Sequence, residues 1–76
     1  MTNDELKYAL LSQEPVWATL PSGETLHFER VTAIIYKLKE GKICVCAECL
    51  EKHEKWNRVT VIGAERIESE RTKNVE

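Results

Sequence analysis

The stretch that decides the fold runs from Val31 to Leu50 and reads VTAIIYKLKEGKICVCAECL. β-Branched and aromatic residues fill its two arms, and Glu40-Gly41 lies between them. Glycine adopts positive φ at little steric cost, which is what a tight hairpin turn requires. The sequence therefore predicts two long antiparallel strands joined at Glu40-Gly41, with Lys39 and Lys42 flanking the turn.

Apolar side chains fall on both faces of this predicted hairpin. Side chains alternate along a strand, so counting by twos groups the residues that share a face. One predicted face carries Val31, Ala33, Ile35, Ile43, Val45 and Ala47. The other carries Ile34, Tyr36, Leu38, Cys44, Cys46 and Leu50. One face builds the core of a small domain, so we expect the second face to meet a partner.

Length and composition indicate one small globular domain. The chain has 76 residues, of which 42% are hydrophobic and 32% charged, and its formal charge is −2. A domain of this size buries only roughly 60–65% of its unfolded surface, so its stability is marginal without a partner. The weak negative charge disfavours non-specific binding to nucleic acid.

The sequence predicts a cytoplasmic protein without membrane contact. The first residues, MTNDE, are acidic and polar where a secretory signal is basic and then apolar. No apolar run approaches the roughly 18–20 residues of a membrane span. Three cysteines close together in a reducing compartment do not favour a structural disulfide.

The remaining elements are predicted from local signals. A helix from Asn3 to Ser12 is indicated by Thr2 and Glu5, which fit a capping box, and by Glu14-Pro15, which ends it. Further strands are predicted at Val16–Leu20, from Thr25 to Leu38 with a bulge or bend near Glu29-Arg30, at Arg58–Ile62, and as a short fifth strand at Glu65–Ile67.

These elements favour an α+β, mainly β domain. We expect residues 1–70 to form it, with the helix at 3–12, a β-barrel at 15–68 and a charged tail at 71–76. A short N-terminal helix followed by four or five antiparallel strands is typical of a small SH3-like, or Sm-like, barrel. A bent meander sheet with the helix across it is the alternative.

Two resemblances accompany this prediction. The runs VTAIIY and GKICVCAECL resemble short uncharacterised proteins of Firmicutes phages and prophages, over the span from Leu6 to Ile62. This resemblance implies a setting in the host cytoplasm rather than a mechanism. A looser similarity to Sm-like RNA-binding ring proteins rests on the helix and on Pro15-Val16, Leu20, Gly23, Leu26 and Phe28. Glu29-Arg30-Val31 stand where that family has the Asp and Asn that recognise bases.

Exposed aromatic and arginine side chains are the candidate binding residues. Trp17 and Tyr36 are predicted on faces opposite to the core, and Trp56 lies in a polar loop beside Arg58. Exposed aromatic rings next to arginine are typical of protein interface hot spots and of base-stacking sites. In a nucleotide site, Trp17 or Trp56 would stack on a base while Arg30 or Arg58 bound phosphate.

A zinc site and a nucleophilic cysteine are two further hypotheses for the three cysteines. Cys44, Cys46, Cys49 and His53 have the ligand types of a Cys3His zinc site, but strand alternation places Cys49 on the opposite face from the other two thiols. Buried free cysteines commonly behave as small hydrophobic residues. A Cys46 or Cys49 nucleophile would need His27 or His53 beside it, and the sequence does not place such a pair together. We therefore predict neither a cofactor nor catalytic residues.

The function predicted from the sequence is that of a non-enzymatic phage or prophage accessory protein. We expect a homo-oligomer that inhibits a host defence protein or sequesters a small nucleotide. The alternatives are an Sm-like nucleic-acid-binding module and a zinc-stabilised interaction module.

Overall fold

The structure, a computed structural model, describes residues 1–69 and confirms the α+β, mainly β fold class. Its elements in chain order are α1 (Asn3–Ser12), β1 (Val16–Thr19), β2 (Thr25–Phe28), β3 (Arg30–Lys39), β4 (Lys42–Lys52), β5 (Asn57–Gly63), a 3-10 helix (Ala64–Arg66) and β6 (Ile67–Ser69). The predicted charged tail at 71–76 lies outside the described residues. None of the helices within residues 1–69 is long and apolar enough to cross a membrane.

Helix α1 has the predicted bounds and the predicted capping box. The Glu5 backbone N–H donates to Thr2 Oγ1 at 3.2 Å, and the Thr2 N–H donates to Glu5 Oε1 at 2.8 Å. The helix ends at Gln13, which adopts left-handed geometry with φ of 59° and donates its N–H to Ala9 O. Leu6 and Ala9 are the buried residues of the helix.

The strands form two three-stranded antiparallel sheets. The first has the order β2-β1-β6 and the second β3-β4-β5. A bend at Glu29 separates β2 from β3, as predicted, and the Glu29 N–H donates to Leu50 O at 2.8 Å. The chain from Thr25 to Lys39 therefore belongs to both sheets. Within residues 1–69, six strands replace the predicted four or five, and a closed barrel is not shown.

The predicted fifth strand at Glu65–Ile67 is displaced. Ala64–Arg66 form the 3-10 helix, and the strand itself is β6. β6 pairs with β1 in the first sheet, whereas β5 belongs to the second. The 3-10 helix thus redirects the chain from one sheet to the other, which a pattern of apolar residues alone does not reveal.

The central hairpin turns at the predicted residues. Glu40 and Gly41 both have positive φ, at 51° and 77°. This geometry matches the two-residue turn that suits the right-handed twist of paired strands. Leu38 lies opposite Ile43, and Lys39 lies opposite Lys42.

The predicted grouping of hairpin side chains by face holds for Val31 and for β4 but is wrong for the rest of β3, because the register shifts between Val31 and Ala33. One extra residue on a strand reverses the face of every residue that follows it. Val31 therefore shares the core face with Cys49, and Ile34, beyond the shift, shares it with Ala47. Tyr36, Leu38, Ile43 and Val45 continue this core face toward the turn.

The opposite side of the second sheet carries both apolar and charged residues. We call it the outer face. Its apolar members are Ala33, Ile35, Cys44, Cys46, Leu50, Val59 and Val61, and its charged members include Arg30, Lys37, Lys39, Lys42 and Glu48. Val59 and Val61 are 52% and 45% exposed. Apolar residues therefore lie on both faces, as expected, but charged residues share the outer face and the members of each face differ from those predicted.

The core lies between the two sheets and the helix. Every regular element contributes at least one of its buried residues, which are Leu6, Ala9, Val16, Ala18, Phe28, Val31, Ala47, Cys49, Ile62, Ala64 and Ile67. The largest fully buried side chain is that of Phe28. Removal of this apolar surface from water is the main favourable contribution to folding.

We predict that Leu6→Ala destabilises the protein by about 2–5 kcal/mol, because it leaves a cavity beneath the helix. Leu6 is fully buried, whereas Leu11 on the same helix is 84% exposed. Leu11→Ala is therefore the matched control and should change the free energy of unfolding by less than about 0.5 kcal/mol. Urea unfolding of the two variants measures the difference, and equal losses would contradict this packing of the helix.

Candidate binding site on the β4–β5 turn

Four side chains converge at the turn that joins β4 to β5. The His53 N–H donates to Trp56 O at 2.9 Å and closes the connection between the strands. Glu51 lies directly opposite Arg58 in the β4–β5 register. We call Glu51, His53, Trp56 and Arg58 the turn cluster.

The indole ring of Trp56 is held by its neighbours while half of the residue stays exposed. Its ring stacks on that of His53, with centroids 3.6 Å apart and planes 25° from parallel. The guanidinium carbon of Arg58 lies 5.6 Å from the Trp56 ring centroid, within the range of a cation–π contact. Trp56 is 50% exposed. The ring is therefore both ordered and available to a partner.

The carboxylate of Glu51 connects the cluster. Arg58 Nη2 donates to both Glu51 oxygens, at 2.9 and 3.1 Å, and His53 Nε2 hydrogen-bonds Glu51 Oε1. The hydrogen bonds from His53 and then from Arg58 lower the pKa of Glu51 from its ordinary value. These contacts favour the ionised carboxylate and fix His53 and Arg58 against the ring.

This arrangement is suited to binding a protein surface. Tryptophan and arginine are the residues most enriched among interface hot spots. A side chain that is already ordered loses less conformational entropy on binding. Arg58 is paired with Glu51 through Nη2, so the cluster offers an aromatic ring beside a cation that already has a carboxylate partner.

The other predicted binding residues lie elsewhere. Trp17 lies opposite His27 on the outward side of the first sheet, and their rings meet edge to face at 5.2 Å. His27 also lines a hollow of about 220 Å³ with Pro15, Glu29 and Lys52. Arg30 Nη1 pairs with Glu29 Oε1 at 3.5 Å. The ring of Trp17 thus meets His27 and Arg30 meets Glu29, whereas the turn cluster is built from residues 51–58.

The prediction that Tyr36 faces away from the core is wrong. The register shift places it on the core face, opposite Val45 and toward the hairpin turn. Its hydroxyl donates to Asn3 Oδ1 on α1 at 2.7 Å, and the residue remains 55% exposed. Tyr36 thus links the hairpin to the helix through this hydrogen bond.

The four residues of the zinc alternative are not brought together. Cys49 is buried in the core, whereas Cys44 and Cys46 lie on the outer face, and His53 belongs to the turn cluster. Among residues 1–69, no group of three or more His, Cys, Asp and Glu side chains is placed to hold a metal ion. Burial, followed by the nearby charge of Glu48, raises the pKa of Cys49 to about 11. At neutral pH this side chain is a thiol packed among apolar residues.

Sequence reasoning identified Trp56 and Arg58 but missed the role of Glu51. The signal is present in the sequence, because a hairpin turn at residues 53–56 places Glu51 across from Arg58. The pairing of Glu51 with Arg58 can be recognised only when the residues at which β4 ends and β5 begins are known. His53 was considered as a metal ligand, and its stacking on Trp56 was not predicted.

No protein family, curated protein or solved structure matches the chain by sequence or by structure.

We predict that Trp56→Ala lowers the free energy of unfolding by less than about 1.5 kcal/mol, since stacking contacts of a half-exposed ring contribute about that much at most. Phe28→Ala is the control, because Phe28 is fully buried and its truncation should cost about 3–5 kcal/mol. Thermal and urea unfolding distinguish the two variants. A loss for Trp56→Ala as large as that for Phe28→Ala would show that this ring is a core residue.

We predict three different reactivities for the three thiols. Cys44 is exposed, Cys46 is half-buried and Cys49 is buried with a raised pKa. A thiol reacts as its thiolate and only when reagent can reach it. With an aromatic disulfide reagent at pH 8, Cys44 should therefore react fastest and Cys49 only after unfolding in urea. Single Cys→Ser variants assign each phase, and rapid reaction of Cys49 in the folded protein would contradict its position.

Proposed function

We propose that the chain is a non-enzymatic phage or prophage accessory protein that binds and inhibits a host protein through the turn cluster. The observation that carries the proposal is the half-exposed Trp56 ring, held by His53 and by the Glu51–Arg58 pair. The proposed setting rests on the resemblance of the runs at Val31–Tyr36 and Gly41–Leu50 to phage proteins.

The state of the arginines favours a protein partner over a nucleotide. Phosphate recognition by a guanidinium is strongest where no carboxylate competes for it. Arg58 donates through Nη2 to both oxygens of Glu51, and Arg30 is paired with Glu29. A phosphate at either position would lie next to one of these carboxylates, and the two anions would repel each other. A protein surface can instead pack on the exposed part of Trp56 without disturbing these contacts.

Other parts of the proposal rest on the fold and on the resemblance. The proposal of a homo-oligomeric protein is supported by the apolar residues of the outer face. The proposal of a cytoplasmic setting rests on the resemblance to phage and prophage proteins. An SH3-like arrangement is supported by the bent path from Thr25 to Lys39, which both sheets share. The non-enzymatic proposal is supported by the buried thiol of Cys49, which is a poor nucleophile.

The proposal predicts that a photo-crosslinking amino acid at position 56 captures a specific host protein in Firmicutes cytoplasm. The same amino acid at position 11 is the control, because Leu11 is even more exposed than Trp56 but lies on α1. Calorimetry with the purified partner should then show that Trp56→Ala weakens binding by about 2 kcal/mol, roughly thirtyfold in Kd. Leu11→Ala should leave the Kd unchanged.

Two results would contradict this proposal. Equal capture from positions 56 and 11, or unchanged affinity of Trp56→Ala, would remove the turn cluster from the interface. A nucleotide that copurifies with the wild-type protein and is lost in Trp56→Ala would instead favour nucleotide sequestration.

A further inference from the structure

Strand β5 is an edge of the second sheet, and its outer edge lacks a backbone partner among residues 1–69. On its inner side it pairs with β4 without interruption from Asn57 to Gly63. Among residues 1–69, no backbone group pairs with the N–H and C=O groups of β5 that point away from β4. A free edge of this kind accepts an extended strand, which continues the ladder of hydrogen bonds.

The opposite edge of the same sheet has the protection that β5 lacks. β3 carries Arg30, Lys37 and Lys39 and contains the register shift after Val31, and Gln13 Nε2 of the helix end donates to Val31 O at 3.2 Å. Charges, bulges and covering elements are the features that prevent pairing at an edge. Between Val59 and Gly63, β5 has no charged residue, no proline and no register shift.

The side chains of β5 are complementary to a second copy of the same strand. Antiparallel pairing about a two-fold axis at Thr60 places Val59 opposite Val61 of the second copy, and Thr60 opposite Thr60. Pairs of β-branched residues across antiparallel strands are stabilising. Arg58 would lie opposite Ile62 and keep its own Glu51 partner, so the pairing brings no like charges directly together.

We propose that two copies of the chain pair through β5 around Thr60 and form one continuous six-stranded sheet. A two-fold axis uses the same edge on both copies, and the protected β3 edges then lie at the two ends of the sheet. The assembly therefore closes as a dimer instead of growing into a fibre. The two turn clusters lie about 20 Å apart along the paired strands, since each residue adds roughly 3.3 Å.

This inference rests on the homo-oligomer of the proposed function and identifies the surface through which it forms. Its test measures only the mass of the assembly. Sedimentation of the full chain at micromolar concentration should give the mass of two chains. V59K/V61K and V59E/V61E should each be monomeric, because the substitutions place like charges opposite one another across the axis. An equimolar mixture of the two variants should restore the dimer, because ammonium groups then face carboxylates. Circular dichroism checks that each variant is folded, which is expected since both valines are about half exposed.

Ile43→Lys is the control, because Ile43 is 72% exposed and lies at the hairpin tip, away from β5. It should remain dimeric. A monomeric wild-type protein, a larger assembly, or a dimer that survives V59K/V61K would overturn the proposal. If the mixture of the two charged variants did not form dimers, the pairing of Val59 with Val61 about Thr60 would be wrong. If Ile43→Lys were monomeric, the interface would lie at the hairpin tip and not at β5. None of these results affects the test of host-protein binding, which depends on Trp56.

Discussion

Two irregularities in the segment that forms β2 and β3 determine which side chains are buried. They are the bend at Glu29 and the register shift between Val31 and Ala33. The bend lets a single run of chain take part in both sheets, so that Phe28 and Val31 enter the same core. The register shift then directs Ile34 to the core face. Without it, alternation from Val31 would direct Ala33 and Ile35 inward and Ile34 outward. The second sheet would then present a different set of side chains to the helix and to the first sheet.

The turn cluster depends on the same second sheet. β4 is its central strand, and its pairing with β5 continues without a shift from Cys46 to Lys52. This regularity brings Glu51 opposite Arg58 and positions His53 and Trp56 at the end of the ladder. A cluster of one carboxylate, one guanidinium and two rings is thereby built from eight consecutive residues. Its geometry is set by strand pairing and does not require a contribution from the core.

The features that the sequence predicted well are those set by short-range chemistry. The capping box of Thr2 and Glu5 and the turn at Glu40-Gly41 depend on residues within one turn of each other. The faces of β3 beyond Val31 were assigned wrongly because the register shift depends on how β3 pairs with β4, which local alternation does not encode. The displaced last strand has the same cause, since β6 is defined by its pairing with β1. Tyr36 was misplaced as a consequence of the register shift.

The candidate site was predicted in part for a similar reason. Trp56 and Arg58 stand out because an aromatic residue in a polar loop has few apolar neighbours along the chain. Glu51 is acidic in a chain with many acidic residues, and only its position across the ladder from Arg58 distinguishes it. Pairwise contacts across strands are thus the information that single-sequence reasoning lacked.

The pairing of β6 with β1 has a consequence for the order of folding. Of the four strand pairings described among residues 1–69, three join strands that are consecutive in the chain, and only β1–β6 joins distant ones. Closing a long loop costs more conformational entropy than closing a short one, and this cost is recovered only after the contact has formed. We therefore expect the three local ladders to nucleate folding and β6 to dock last. Its amide hydrogens should accordingly exchange through a local opening while those of β4 remain protected until the whole domain unfolds.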